Sequence, residues 1–271
     1  MVLLSPFFSS MFLLGASLLL CFPTTVHSHG YMKSPRSRNF VAYEDGKYWP
    51  LQAEDPLKED CPHCLNLGGT LAQCGLTGDR NYDFPKDALG GPMGVNIQST
   101  FIAGEIITVD VVLTAHHRGH FALNVCPMDP NSPDAPSKAC FEQYPLEYVE
   151  DLLYSAPKDL HYPDRAYIAP SGWPDAVTDT SGVNGMLFSF RFKLPDDVVG
   201  DFVLLQWHYL TANSCSHPGY DAYAFPDPSW QPTNMALCTD IPPDGRGVPE
   251  QFWNCAEIKI TPSGPPTTPA P

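Results

Sequence analysis

The chain has 271 residues, with 30 acidic against 15 basic side chains and a formal charge of −15. That balance argues against nucleic acid or an anionic membrane surface as partner, whereas a neutral polymer is not repelled and a cation is attracted. With 30 prolines and 20 glycines and no long amphipathic helical periodicity, the composition points to a loop-rich β protein.

In chain order, residues 1–28 read as a secretory signal. Their Leu/Phe-rich stretch carries no charged side chain. Its apolar run, Met11 to Phe22, is shorter than the roughly 20 residues that a bilayer span needs, so an uncleaved anchor is the weaker reading. Val26 and Ser28 stand three and one residues before a cut that leaves His29 first. A mature chain starting on histidine offers two nitrogen donors from one residue, the α-amine and the imidazole. Residues 29–260 then form one domain, large enough for a real core and expected to be secreted, extracellular and monomeric.

Residues 40 to 95 are mostly turn chemistry with three cysteines. Cys61-Pro62-His63-Cys64 admits a zinc knuckle, but no second ligand pair stands at a matching spacing, and a disulfide is the better reading. Removing Cys21 with the signal leaves eight cysteines, an even set that suits disulfides in a secreted chain. Cys126 with Cys140 is the one pairing expected here.

Strands are expected at Glu105 to Leu113, Phe121 to Val125, Met186 to Leu194, Phe202 to Tyr209 and Ala256 to Ile260, from their β-branched and aromatic runs. Turn-rich segments between them suit an all-β, immunoglobulin-like or fibronectin type III-like antiparallel sandwich with long, disulfide-stapled loops. Residues 127 to 185 are rich in proline around one short helix expected at Leu146 to Tyr154. From Thr261 the chain becomes a Pro/Thr-rich tail, residues 261–271.

Three histidines crowd the end of the first long strand, in Thr114-Ala115-His116-His117-Arg118-Gly119-His120. Ile107, Val109, Val111 and Leu113 share one parity, continued by Ala115 and His117; His116 falls on the other. Parity separates the two without choosing a ligand.

Five blocks in order resemble the lytic polysaccharide monooxygenases of the chitin-binding type-4 kind, auxiliary-activity families ten and fifteen. They are His29-Gly-Tyr-Met-Lys-Ser-Pro-Arg-Ser-Arg-Asn39; Gly68-Gly69 with Cys74-Gly75; Thr114 to Phe121; Gln206-Trp-His-Tyr-Leu-Thr-Ala-Asn-Ser-Cys215; and Phe252-Trp-Asn-Cys-Ala-Glu-Ile258. The resemblance implies a copper ion held in a histidine brace by the amine and ring of His29 and by the ring of His117. It implies that Ala115 flanks one axial position and Phe252 faces the other, where a phenylalanine cannot coordinate. Tyr48 and Trp49 fall where relatives shape the substrate face, His120 falls behind the ligands, and His208 is expected to be structural.

Nitrogen donors suit copper, which stands at the top of the divalent affinity order. The α-amine, with an ordinary pKa of about 7.7–8.0, loses its proton to a metal readily. The reaction implied is hydrogen abstraction from a glycosidic carbon of insoluble polysaccharide, chitin first and cellulose second. An external electron donor and oxygen or hydrogen peroxide are its other reactants. A non-catalytic chitin-binding protein and a secreted copper-binding protein are the rival readings. A glycosidase is disfavoured because no motif singles out a carboxylate pair.

Overall fold

The computed structural model describes residues 29–46, 63–65, 67–78, 80–87, 89–132, 134–180 and 182–264. The signal sequence, Tyr48, Trp49, Cys61 and the last residues of the tail lie outside the described residues.

Twelve strands and two α-helices are described: β1 (His29–Ser34), α1 (Arg38–Asp45), β2 (Leu76–Thr77), β3 (Arg80–Asn81), β4 (Ser99–Ile102), β5 (Ile106–Ala115), β6 (His120–Pro127), α2 (Lys138–Gln143), β7 (Glu147–Asp151), β8 (Ala166–Tyr167), β9 (Thr178–Asp179), β10 (Gly185–Lys193), β11 (Gly200–Leu210) and β12 (Gln251–Thr261). One sheet runs β1-β5-β10-β7 with β9 on β10, and the other runs β4-β12-β11-β6-β8. Together they make the expected β-sandwich. All pairings in these two sheets are antiparallel except β4 with β12.

Side-chain alternation explains the packing. On β5, Ile107, Val109, Val111 and Leu113 are buried, and on β10 so are Phe188, Phe190 and Phe192. They meet Phe121, Leu123 and Val125 of β6 and Val203, Leu205, Trp207 and Tyr209 of β11 in one core. Phe121 meets Phe188, Phe190, Trp207 and Tyr209 edge to face, at centroid distances of 5.7, 5.7, 5.2 and 5.1 Å. Each buried ring contributes about 2–3 kcal/mol from area removed from water, and the edge contacts add to it.

Three disulfides join described cysteines. Cys126–Cys140 spans 14 residues, as expected, while Cys215–Cys238 spans 23 and Cys74–Cys255 spans 181. The last fastens the loop after α1 to the outer face of β12. Behind it, Arg38 Nε donates to Glu257 Oε1 at 2.8 Å in a buried ion pair.

Three expectations need correction. Leu146 to Tyr154 is not a helix: Glu147–Asp151 is strand β7, paired with β10, and Tyr148 is buried against Phe190 and Phe192. Sheet-edge pairing and that aromatic anchor outweigh the local helical spacing. A helix, α1, opens the stretch read as turns; its C-terminal residue Gly46 adopts φ 61°, a left-handed cap that glycine accepts at little cost. β12 reaches Thr261, whose hydroxyl donates to Phe101 O at 3.0 Å, so the first residue assigned to the tail belongs to the sheet.

Candidate metal centre

The site forms where the two sheets end together. β1 runs antiparallel to β5, with His29 opposite Ala115 and Gly30 opposite Leu113. Gly30 permits this approach, since a Cβ there would lie 2.5 Å from Leu113 Cδ2 and 3.0 Å from Trp207 Cη2. Thr114 Oγ1 donates to His29 O at 3.4 Å, and Gly30 N–H donates to His63 O at 3.1 Å. These contacts seat His29 at the edge of the sandwich.

His117 lies in the tight connection from β5 to β6. Arg118 and Gly119 adopt φ of 56° and 105°. At Gly119 a Cβ would meet Leu210 O at 2.0 Å, so no larger residue makes this turn unchanged. The Tyr209 hydroxyl accepts from His117 N–H at 3.1 Å and donates to Arg118 O at 2.6 Å. Ala212 N–H donates to His117 O at 3.0 Å. The backbone of His117 is therefore held from both sides by the end of β11 and the residues after it.

The His117 ring is oriented as well. Its Nδ1 lies 2.8 Å from the side-chain amide of Asn213, 96 residues away. Its Nε2 is buried without a hydrogen bond and stands 3.8 Å from Glu250 Oε2, which is also buried without one. That separation is too long for a hydrogen bond. Burial lowers the pKa of His117 and the nearby Glu250 carboxylate partly offsets the effect, so the ring is neutral at neutral pH with a lone pair to offer.

The neighbouring histidines are committed elsewhere. His116 accepts from Arg118 N–H at Nδ1 (3.0 Å) and donates from Nε2 to Ala169 O (2.6 Å), so both its nitrogens are used. Burial drives its pKa down to about 4. Of His116 and His117, only His117 keeps a ring nitrogen without a hydrogen bond. His120 is buried, with Nδ1 2.6 Å from the Tyr220 hydroxyl and its ring 5.1 Å from that of His217. His217 in turn donates from Nε2 to Thr211 O at 2.7 Å. His208 stacks on Trp253 at 4.6 Å and donates from Nε2 to Gln251 Oε1 at 3.0 Å, the structural role expected of it.

Phe252 is fully buried and stacks on Tyr209 at 5.7 Å, one ring behind the His117 backbone. Asn213, Glu250 and Tyr209 were not singled out from the sequence. Asn213 and Tyr209 lie inside the Gln206–Cys215 block, and Glu250 stands two residues before Phe252 on the same side of the chain.

Among the described residues, one group of three side chains has ligand atoms within 4.8 Å of one another: His29, His63 and Cys64. Cys64 is disulfide-bonded, so its sulfur is no thiolate and the zinc knuckle loses that ligand. His29 and His63 remain, with ring centroids 5.0 Å apart. Cavities of about 530 and 280 Å³ lie elsewhere, the first over Phe202, Leu204 and the Arg38–Glu257 pair, the second beside Tyr162 and Tyr223. Neither includes His29, His117 or Glu250.

The residues fit a nitrogen-ligated metal. Two orphaned buried atoms, His117 Nε2 and Glu250 Oε2, face one another across a gap that a cation would fill. The side chains of His29 and His117 are imidazoles, a donor type that copper prefers.

A family model described as "Lytic polysaccharide mono-oxygenase, cellulose-degrading" matches residues 29–258. No curated relative matches the sequence. Solved structures similar to the chain include a lytic polysaccharide monooxygenase AA15 from Thermobia domestica in the Cu(I) state. It has 20% identity and a TM-score of 0.48, over 86% of this chain and 98% of that one. A chitin binding domain from Burkholderia pseudomallei has 12% identity and a TM-score of 0.40, over 87% of this chain and 100% of that one. The cellulose-active CelS2 in complex with copper has 12% identity and a TM-score of 0.35, with the same coverage of 87% and 100%.

Proposed function

Because the chain belongs to the lytic polysaccharide monooxygenase family, we propose that it is a secreted copper enzyme that oxidatively cleaves insoluble polysaccharide. The amine and ring of His29 and Nε2 of His117 would hold the ion. Removal of residues 1–28 is part of this reading, since it turns the His29 amide nitrogen into a basic amine. The observation that carries it is the His117 ring: neutral, oriented from Nδ1, and buried at Nε2 with no hydrogen bond.

Copper, when bound, supplies reversible one-electron chemistry and activates oxygen or hydrogen peroxide for attack on a C–H bond. The protein's own residues do the rest. Asn213 sets the tautomer of His117. Its Nδ2 lies 2.8 Å from His117 Nδ1, and its Oδ1 accepts at 3.2 Å from Thr211 Oγ1, which also lies 3.0 Å from Glu250 O. A half-turn of the amide, which exchanges its two end atoms, lets Oδ1 accept from Nδ1–H while Nδ2 donates to Thr211 Oγ1 and the Thr211 hydroxyl donates to Glu250 O. Every group in that chain is then satisfied and Nε2 keeps its lone pair. Glu250 adds a carboxylate beside the ligand, favouring a bound cation. Ala115, opposite His29, keeps that side of the site small, and buried Phe252 gives an apolar wall that cannot coordinate.

The site stands at the edge of the sandwich, where β1 and β5 end, a position that suits an extended polymer surface. Chitin is the first substrate to test and cellulose the second. Incubating the mature chain with each polymer, copper, a reductant and oxygen or hydrogen peroxide should release oxidised oligosaccharides detectable by mass spectrometry. Polymer binding without such products would favour a non-catalytic binding protein.

A further inference from the structure

We propose that His63 is an additional nitrogen donor at the His29 metal centre. This rests on the reading above that His29 holds a metal, and adds a ligand to it. The Cys61-Pro62-His63-Cys64 segment first reads as a knuckle or a disulfide clip. The disulfide at Cys64 removes its thiolate but leaves the intervening imidazole beside His29.

Geometry carries the assignment. An imidazole nitrogen about 2.0 Å from a metal puts its ring centroid about 3.1 Å from the ion. Two such rings meeting at about 90–110° therefore have centroids about 4.4–5.1 Å apart, with the metal–nitrogen length as the starting value. The rings of His29 and His63 stand 5.0 Å apart and tilted by 53°, neither parallel-stacked nor edge-on. Their ligand nitrogens fall within 4.8 Å of each other, against about 2.8–3.3 Å for two nitrogens on one ion, so sharing an ion requires the two rings to close up on it.

The backbone fixes this arrangement. Gly30 N–H donates to His63 O at 3.1 Å, so the residue after His29 is tied to His63 itself. Cys64, next in the chain, lies with its sulfur 4.0 Å from His29 Nε2 and is anchored by its disulfide. Two imidazoles held to one another through a main-chain bond are preorganised for an ion that takes nitrogen ligands. The consequence is a centre with imidazoles from β1, from the β5–β6 turn and from the segment after α1, in which His63 supports His29.

Copper(II) titration of the mature chain and of His63→Ala, His63→Gln and His117→Ala, read by calorimetry and electron paramagnetic resonance, tests this. With His63 as a ligand, both substitutions at 63 weaken copper binding by about tenfold or more and change the nitrogen hyperfine pattern, while the metal-free melting temperature stays near that of the parent. His117→Ala should retain weak binding that a second substitution, His63→Ala, removes. On the unaltered protein, loading with copper(I) should shift the ring ¹⁵N resonances of His63 together with those of His29. Copper binding and spectra unchanged by both substitutions, or His63 resonances unmoved on loading, would overturn the proposal and leave the His29–His117 reading intact. A parent chain that binds no copper would instead defeat that reading itself.

Discussion

The two halves of the proposed metal centre are built in opposite ways. On the His117 side, folding alone completes the job: Tyr209, Ala212 and Asn213 grip backbone and ring, and a glycine-dependent turn sets the direction. On the His29 side, the structure supplies a seat opposite Ala115 and beside His63, but the proposed second donor is the chain's own amine, which exists only after the first 28 residues are removed. One half is thus preorganised by packing, and the other awaits a covalent event. On the proposed reading, such a protein would fold without its full metal affinity until it is processed.

The sharpest way to break the folded half is His117→Ala. It should abolish oxidised products and weaken copper binding by more than about a hundredfold, beyond the 10–100-fold typical of residues that merely orient a ligand. Product analysis and calorimetry on the same sample check it; unchanged products would mean that His117 is not part of the centre.

Asn213 probes orientation rather than ligation. Asn213→Ala should cost about 10–100-fold in copper affinity with little change in melting temperature. Metal-free ¹⁵N spectra should show the His117 proton moving from Nδ1 towards Nε2. Asn213→Asp, which keeps an acceptor at Nδ1, should recover most of the affinity. If the alanine variant keeps both the tautomer and the affinity, the orienting role is wrong.

The smallest effect concerns the scaffold behind the site. Burial of the ring, stacked on Trp253, lowers the pKa of His208 from its ordinary 6.5 to about 4, and the hydrogen bond to Gln251 offsets only part of that. The unfolded chain therefore takes up a proton at a pH where the folded one does not. Stability from this group is full above about pH 6.5 and declines as pH falls towards 4, by roughly 1–2 kcal/mol once solvent screening is allowed for. Urea unfolding of the metal-free protein at pH 7 and pH 5 checks the sign. His208→Gln should flatten the dependence, and an unaltered slope would assign the loss to other groups.

Much of the sandwich was legible because its strands carry their burial as alternation. The residues Val109, Val111 and Leu113, or Phe188, Phe190 and Phe192, announce one inward face without help from their neighbours. β7 was not legible, since Glu147 to Asp151 is short and charged on the outside, and only its place beside β10 makes it a strand. The site divides in the same manner. His29 and His117 stand in motifs, and the resemblance named His117 where strand parity could not, but the hydrogen bonds that occupy both nitrogens of His116 could not be read from the sequence. Asn213 and Glu250 reach His117 from 96 and 133 residues away, a convergence that no local pattern encodes. His63 was visible only as the middle of a cysteine pair, because its nearness to His29 depends on a main-chain bond between distant segments.

The comparison of the two halves is tested most directly by preparing the chain twice, once beginning at His29 and once with Ser28 retained in front of it. The fold and the His117 half are the same in both, and only the amine differs. The chain beginning at His29 should bind one copper ion tightly and release oxidised oligosaccharides from chitin or cellulose, while the extended chain should bind far more weakly and release none. Equal affinity and equal products from the two would contradict the account.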